Sequence, residues 1–279
     1  MKISDPLLTR IVPRIADVPG VVAIALGGSR ARGAATDASD YDLGLYYGPE
    51  KPLDVNALRR VVSDLVDNAA SVTVTSVGEW GPRIVGGAWL KIGGQKVDLL
   101  YREVAAVESS IAECRAGRVA MSYQPGHPHG FCSAIWMGEV ATCVPLHDAD
   151  GVIAGLKAQA TPYPDPLADA LVGMFLWEVS FSIANGQTAV ARGDETHIAG
   201  CAYRALACIG QVLFALNRRY LINEKGALKE AAVFPHTLRG LTNRVAGIWA
   251  AIGAREFGAA LVALRALETE LRLKIQAGA

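Results

Sequence analysis

Residues 21–47 read VVAIALGGSRARGAATDASDYDLGLYY, and their pattern predicts a strand, a glycine turn, a short helix and a second strand. Residues 21–26 are a continuous apolar run with β-branched side chains, which is typical of a buried strand. Gly27 and Gly28 then let the backbone turn sharply and approach a ligand closely. We expect Ser29 to cap a helix whose free amides attract phosphate, because helix N-termini bind anions.

Two carboxylates follow in the second predicted strand, residues 40–47. Asp40 and Asp42 are two positions apart, so their side chains point to the same face of a strand. Like charges this close repel each other unless a cation lies between them. Mg²⁺ suits such a site, because it takes oxygen ligands and shares them with substrate phosphates. A phosphate-binding turn followed by metal-binding carboxylates is what metal-assisted transfer from a nucleoside triphosphate requires.

This combination resembles the DNA polymerase beta-like nucleotidyltransferase superfamily. The superfamily pattern has Gly-Ser shortly before a strand that carries Asp-x-Asp, as do Gly28-Ser29 and the DYDL of residues 40–43. The longer run GGSRARGAATDASDYDL is similar to the small-molecule branch, which includes aminoglycoside and lincosamide nucleotidyltransferases. The superfamily also implies a third carboxylate on a later strand. Asp98, in the sequence VDLL, matches that position, and an ordinary exposed strand aspartate is the alternative.

The resemblance implies an α+β fold in two domains. Residues 1–155 would form a nucleotidyltransferase-type mixed sheet with flanking helices, and residues 156–279 an all-α helical bundle. Similar families have their active site in the cleft between the two domains. Helical patterns in the second half support this division; they cover residues 167–185, 195–220, 238–252 and 255–276.

Other patterns place the smaller elements of the first domain. Asp5-Pro6 is typical of a helix start, with an N-cap followed by proline at the first helical position. Gly93-Gly94 predicts a two-residue hairpin turn between strands 88–92 and 95–101. The remaining predictions are helices over 54–68 and 104–116 and strands over 71–77 and 138–145.

The resemblance further implies an activity, the Mg²⁺-dependent transfer of a nucleoside monophosphate to a hydroxyl of a small molecule. ATP is the expected donor, and an aminoglycoside-like antibiotic is a possible acceptor. Asp40, Asp42 and Asp98 are expected to hold two Mg²⁺ ions. Asp98 is also the first choice of general base. Three other carboxylates are weaker candidates for that role, namely Glu79, Glu103 and Glu178.

Further residues are expected to contact the two substrates. The backbone amides around Gly28 and Ser29 would bind the β- and γ-phosphates, and Arg30 or Arg32 would add positive charge there. In related enzymes a lysine and a tyrosine of the helical domain contact the nucleotide, and Lys225 and Tyr220 match them by order along the chain. Cations placed near a helix end are the alternative reading. Glu79 and Trp80 are expected at the rim of the active site, in contact with the acceptor or the nucleotide, because site residues concentrate on loops. A surface loop with a buried tryptophan is the alternative.

Two features leave alternatives open. Glu178 lies in the apolar run LVGMFLWEVSF, where a carboxylate is costly unless it is paired. It would bind an acceptor amine, accept a proton or pair with Arg204. His127 and His129 form an H-x-H pair without a carboxylate or cysteine partner in sequence, so a packed loop is favoured over a metal site.

Composition narrows the class of protein. The 279 residues carry 27 Lys and Arg against 27 Asp and Glu, which disfavours a nucleic-acid binder. The five cysteines form no C-x-x-C pair, which disfavours a disulfide framework or zinc site. The N-terminus lacks a signal-peptide core, and no uncharged apolar run reaches membrane-spanning length. We therefore expect a cytoplasmic protein with a nucleoside triphosphate and a small hydroxylated molecule as partners, and no particular oligomeric state is indicated.

Two other functions fit the same motifs. One is an adenylyltransferase that modifies a partner protein. The other is a nucleotide-binding module without turnover, which the presence of all three carboxylates disfavours.

Overall fold

The computed structural model describes residues 5–36 and 38–278, with the side chain of Ser71 left out. Within this part of the chain, residues group by proximity into two compact units. The first unit extends to Glu113 and resumes over Ala120–Pro162. The second comprises Cys114–Val119 and the chain from Tyr163 onward. The domain division at residue 155 stays a prediction.

The first unit is built on a mixed sheet. Among the described residues, five strands pair in the order β3-β4-β2-β1-β7, with β2 and β4 parallel and the other neighbours antiparallel. These strands are β1 (Val21–Leu26), β2 (Tyr41–Tyr47), β3 (Gly87–Ile92), β4 (Gln95–Glu103) and β7 (Val144–His147). A separate pair consists of β5 (Met121–Ser122) and β6 (Phe131–Cys132).

Helices flank this sheet, so the predicted α+β class is confirmed. They are α1 (Pro6–Ala16), α2 (Gly28–Ala31), α3 (Val55–Ser63), α4 (Val104–Arg115), α5 (Ala134–Thr142) and α6 (Val152–Ala160). The core of the unit lies between the sheet and the helices on one face. Ile11 and Ile15 of α1 pack there with Leu43, Leu45 and Leu99, all fully buried.

Local signals explain where several elements begin and turn. The Asp5 carboxylate accepts hydrogen bonds from the amides of Leu7 and Leu8 at 2.9 and 3.1 Å, which starts α1 as predicted. Gly93 and Gly94 join β3 to β4, and both have positive φ, as the tightest hairpin turns require. The Asp67 carboxylate accepts from both glycine amides, at 2.6 and 2.9 Å.

Two predicted strands are wrong. Residues 69–71 form a 3₁₀ turn, and of the predicted strand 71–77 only Val74 pairs, in an isolated bridge with Ala88. Most of the predicted strand 138–145 belongs to helix α5, with β7 beginning at Val144. Short apolar runs fit either a strand or a buried helix segment, so periodicity alone does not separate them.

The second unit is helical. Its long helices are α7 (Asp165–Val190), α8 (Glu195–Leu216), α10 (Leu241–Gly253) and α11 (Phe257–Gln276), with the short α9 (Ala227–Ala231) between α8 and α10. A buried carboxylate, Glu268, accepts hydrogen bonds from Ser180, Arg265 and Arg272. This network satisfies a charge that would otherwise destabilise the bundle.

Two of the described helices, α7 and α8, are long and apolar enough to cross a membrane by length and composition. In their most apolar windows, 39% and 67% of the residues are buried inside the structure. Core helices of soluble proteins meet the same criterion, so the observation is weak evidence for a membrane span.

Candidate active site

The central feature of the site is a pair of aspartates on neighbouring parallel strands. Asp42 of β2 lies in register with Asp98 of β4. Both are half-buried, whereas their neighbours along each strand are buried on the core face. Because alternate residues face opposite sides of a sheet, both carboxylates project from the face away from that core. The structure therefore brings together two of the three predicted carboxylates.

The third predicted carboxylate, Asp40, lies two positions before Asp42. It precedes β2 by one residue, a small difference from the predicted strand start. Its Oδ1 lies 3.9 Å from Nζ of Lys96, which is two positions before Asp98 on β4. Both side chains are exposed, so this contact adds little stability. Two adjacent rows therefore lie on one surface, with Asp40 and Asp42 in one row and Lys96 and Asp98 in the other.

The glycine turn lies directly against Asp42. The Gly27 amide donates to the Asp42 carbonyl at 2.8 Å. Gly28 has φ of +62°, and a Cβ built on it would lie 1.8 Å from Oδ2 of Asp42. Only glycine permits both this backbone conformation and this approach. The predicted cap is wrong, because α2 begins at Gly28 after an N-cap at Gly27 and Ser29 lies inside the helix.

Arg30 orders the segment that enters β2. Its guanidinium donates to the carbonyls of Ser39 and Asp40 at 2.7 and 3.2 Å. It also lies over the Tyr41 ring, 3.7 Å from the centroid. The Tyr41 hydroxyl in turn donates to Asp5 at 2.8 Å. Arg30 therefore holds the backbone of Asp40 in place, and its predicted contact with phosphate stays a prediction.

Burial and the hydrogen bond to Asp5 both raise the pKa of Tyr41 above its ordinary value, so the hydroxyl remains a donor at neutral pH. Arg32, another predicted phosphate contact, is exposed and its Nε donates to the Gly28 carbonyl at 3.4 Å. The link keeps this guanidinium beside the glycine turn.

Next to Asp98 lies a pair of stacked tryptophans. Trp89 of β3 is in register with Asp98, and its ring stacks on that of Trp80 with centroids 4.5 Å apart and planes 19° apart. Trp80 was predicted, whereas Trp89 was missed. The hairpin turn contained the necessary signal, since a two-residue loop at 93–94 sets residue 89 opposite residue 98. Glu79, the other predicted residue of this loop, accepts from the Ser76 amide at 2.8 Å.

The loop that carries Trp80 is held by a buried glutamine that sequence reasoning also missed. Gln124 is 2% exposed and donates to the Trp80 carbonyl at 3.0 Å. Its Oε1 accepts from the amides of Arg83 and Ile84 at 3.1 and 3.0 Å. No local pattern marks residue 124 as a partner of a loop so distant in sequence.

A cavity of about 680 Å³ lies at this edge of the sheet. Two aspartates of the surface rows, Asp40 and Asp98, line it together with residues of the β3–β4 hairpin and of the segment after α3. The hairpin residues are Trp89, Leu90, Lys91 and Lys96, and those after α3 are Val66, Asp67, Asn68 and Val72. Carboxylates, ammonium groups and an aromatic ring therefore share one opening.

The donor set of the carboxylate rows is chemically suited to a hard divalent cation. Among residues 5–36 and 38–278, no group of three or more histidine, cysteine, aspartate or glutamate side chains is arranged to hold a metal ion. Mg²⁺ commonly uses one or two carboxylates and completes its shell with water and substrate phosphates. Asp42 and Asp98, on one face of adjacent strands, fit that mode of binding.

The predicted residues of the second unit have structural partners of their own. Glu178 pairs with Arg204, whose Nε donates to it at 2.7 Å, which is one of the three alternatives considered. Tyr220 follows the end of α8 and packs against Tyr163 with ring centroids 4.6 Å apart. Burial raises the pKa of Tyr220. Lys225 is exposed in the segment between α8 and α9. Their roles toward a substrate stay predictions.

The remaining candidates occupy ordinary structural positions. Glu103 is the last residue of β4, immediately before α4. The ring of His127 meets Phe131 edge-on at 5.3 Å, and His129 is buried. These positions agree with the interpretation of residues 127–129 as a packed loop.

Comparison with protein families identifies the part of the chain that holds this surface. Residues 8–119 match the family described as nucleotidyltransferase domain. This segment is similar to a nucleotidyltransferase domain. The prediction of a nucleotide-transferring enzyme of this superfamily is thereby confirmed, whereas the small-molecule branch stays a prediction. Such domains in general use a nucleoside triphosphate and a divalent metal ion.

The matched segment includes the glycine turn, the three aspartates and both stacked tryptophans, while Gln124 lies just beyond it. Residues 137–225 match a domain family of unknown function, DUF4037. A nucleotidyltransferase-like protein from Exiguobacterium sibiricum 255-15 is 13% identical, with a TM-score of 0.42 over 96% of this chain and 75% of that one. No match was found among curated proteins.

Proposed function

We propose that the protein transfers a nucleoside monophosphate, in the first instance AMP from ATP, to a hydroxyl of a small molecule in a Mg²⁺-dependent reaction. The observation that supports this most directly is the alignment of three features across adjacent strands. The glycine turn follows β1, Asp42 lies on β2 and Asp98 lies on β4. Backbone amides for phosphate and carboxylates for a cation are thus neighbours on one surface.

Each group has a distinct part in the proposed reaction. The turn at Gly27 and Gly28, which lies directly against Asp42, receives the triphosphate, because neither glycine has a side chain that would block a phosphate. Asp42 and Asp98 would hold the Mg²⁺ ions, with Asp40 beside them. When bound, Mg²⁺ neutralises phosphate charge and supports the in-line displacement. Asp98, on the side away from the turn, accepts the proton of the acceptor hydroxyl.

The bond changes are those of a nucleotidyl transfer. The acceptor oxygen forms a bond to the α-phosphorus, and the bond from that phosphorus to the bridging oxygen of the β-phosphate breaks. Pyrophosphate leaves, and the hydroxyl proton goes to the Asp98 carboxylate. Positioning contributes much of such a reaction, since phosphoryl transfer needs little covalent chemistry from the protein.

The nature of the acceptor is part of the proposal. The motif resemblance supports the small-molecule branch, with an aminoglycoside-like antibiotic as one candidate, and a cytoplasmic location is consistent with an ATP donor. The presence of all three carboxylates supports turnover rather than nucleotide binding alone. A protein acceptor is the competing outcome, and mass spectrometry of candidate acceptors after incubation with ATP and Mg²⁺ distinguishes the two.

Calorimetry tests the donor site directly. We would titrate ATP, GTP, CTP and UTP, each with and without Mg²⁺, into the wild type, Asp42→Asn and the control Asp64→Asn. Asp64 is an exposed aspartate of the same unit that pairs with Arg14. We expect Mg²⁺-dependent binding in the wild type and control, and at least a roughly tenfold loss in Asp42→Asn, because loss of even an outer-shell partner of a metal ion typically costs about 10–100-fold in metal affinity.

Two results would count against the donor site. If Asp42→Asn bound nucleotide as tightly as the control did, Asp42 would have no role in binding. If the wild type bound no triphosphate in either condition, the proposed transfer reaction would have no donor.

A further inference from the structure

Building on the proposed function, we propose that Trp89, supported by Trp80, is the surface that binds an aromatic ring of the acceptor. The acceptor would then be a small molecule that carries both a hydroxyl and a flat aromatic ring. This assigns a substrate class to the end of the site that lies beyond Asp98.

The order of the strands places the tryptophans on the acceptor side. Across the sheet, the glycine turn follows β1, Asp42 lies on the next strand β2, Asp98 on β4 and Trp89 on β3. If the triphosphate occupies the glycine turn, the α-phosphorus lies toward the two aspartates. The attacking hydroxyl approaches opposite the leaving group in an in-line displacement. The molecule that carries this hydroxyl therefore lies over β4 and β3, where Trp89 is the next side chain in the row.

The geometry of the indole pair suits stacking by a third ring. Trp89 is 66% exposed, although it is a large aromatic residue in the middle of a strand. Trp80 covers one face of its ring at a centroid distance of 4.5 Å. The opposite face is thus accessible, and Trp89 lines the same cavity of about 680 Å³ as Asp98. An exposed apolar surface of this kind is typical of a binding site.

The pair is also held rigidly, which lowers the entropy cost of binding. Buried Gln124 ties the Trp80 carbonyl to the Arg83 and Ile84 amides. The ring of Trp80 rests over Gly87, where an added Cβ would lie 3.0 Å from Cζ3 of Trp80 and 1.8 Å from the Leu99 carbonyl oxygen. The stacking surface is therefore built by contacts of both the loop and the sheet.

The test uses two glucosides that differ only in the group attached to the sugar, which is an aromatic nitrophenyl ring in one and a methyl group in the other. We would measure binding of 4-nitrophenyl β-glucoside and methyl β-glucoside by calorimetry, without nucleotide, to the wild type and to variants of Trp89. Trp89→Phe keeps a flat ring, whereas Trp89→Leu keeps apolar character without one. Trp177→Leu is the matched control, because Trp177 is 62% exposed and also stacked, on Phe181.

We expect the wild type, Trp177→Leu and Trp89→Phe to prefer the nitrophenyl glucoside, and Trp89→Leu to bind it about tenfold more weakly, as found for rings that stack on aromatic side chains. Equal binding to Trp89→Leu and the wild type would overturn the proposal. So would a wild type that does not bind the nitrophenyl probe at about 10 mM, because a surface that gives no binding at that concentration contributes almost no affinity.

The same proteins would be titrated with ATP and Mg²⁺, and Trp89→Leu should bind nucleotide as the wild type does. This measurement separates the two proposals. Loss of ring binding in Trp89→Leu with intact nucleotide binding supports both proposals. If no protein binds nucleotide, the proposed function is refuted, and the ring-binding comparison alone then decides whether Trp89 is a stacking surface.

Discussion

Replacing Gly28 by alanine should disable the candidate donor site while leaving most of the fold intact. Gly28 has φ of +62°, and its added Cβ would lie 1.8 Å from Oδ2, 2.8 Å from Cγ and 3.3 Å from Cβ of Asp42. Contacts under 3.0 Å are essentially never seen for a real Cβ, so the carboxylate must move by more than 1 Å. A displacement of that size in a catalytic group costs on the order of 10²-fold in rate.

The cost in stability should be smaller. The left-handed backbone conformation costs a non-glycine residue roughly 1–2 kcal/mol. The clash itself involves mainly the end of the Asp42 side chain, which relieves it by rotation. We therefore expect the free energy of unfolding to fall by about 1–2 kcal/mol, which urea denaturation measures.

Gly33→Ala is the matched control. Gly33 belongs to the same turn region and has φ of +68°, but an added Cβ there would meet no atom within 4 Å. Its backbone penalty should equal that of Gly28→Ala, while the Asp42 carboxylate stays in place. Calorimetry with Mg²⁺ and the nucleotide that the wild type binds best should give at least tenfold weaker binding in Gly28→Ala only. Similar affinities in the two variants would refute the assignment of Asp42 to the donor site.

Two further predictions concern buried charges. Arg102→Met should lower the free energy of unfolding by about 3–5 kcal/mol in chemical denaturation, because it leaves the Glu139 carboxylate without the guanidinium that donates to both its oxygens. The double variant Arg102→Met/Glu139→Leu should recover part of that loss. Full additivity of the two single substitutions would disprove the coupling. In the second unit, burial raises the pKa of Glu268, but hydrogen bonds from Ser180 and the neighbouring arginines outweigh burial and lower it below its ordinary value. Its stabilising contribution is therefore present above about pH 4.5 and lost as the pH falls through the lowered pKa. In thermal melts, Glu268→Gln should be less stable than the wild type at neutral pH, and the difference should shrink as the pH falls below about 4.5; a pH-independent difference would contradict this.

Burial also affects Arg102 itself. Burial alone lowers the pKa of its guanidinium, and the Glu139 carboxylate reverses that effect and raises it. The Arg102 guanidinium therefore stays charged through the range in which proteins are usually studied, and its own titration should not mask the effect of Arg102→Met.

Features that depend on residues close together along the chain could be predicted from the sequence. The strand, glycine turn and Asp-x-Asp arrangement follows from local periodicity and backbone freedom, and it predicted that Asp40 and Asp42 share a face. The hairpin at Gly93 and Gly94 and the cap at Asp5 are equally local, and both are present. The α+β class, which the family resemblance implied, is also present.

Contacts between residues far apart in the sequence could not be predicted, because they depend on how the strands and loops pack. The pairing of Asp42 with Asp98 depends on the parallel register of β2 and β4, which no turn connects and which packing of the whole unit sets. The same holds for Gln124 beneath the Trp80 loop and for Arg204 as the partner of Glu178. The direction of each side chain follows from the two-residue repeat of a single strand. The register between two strands instead depends on the core against which both strands pack.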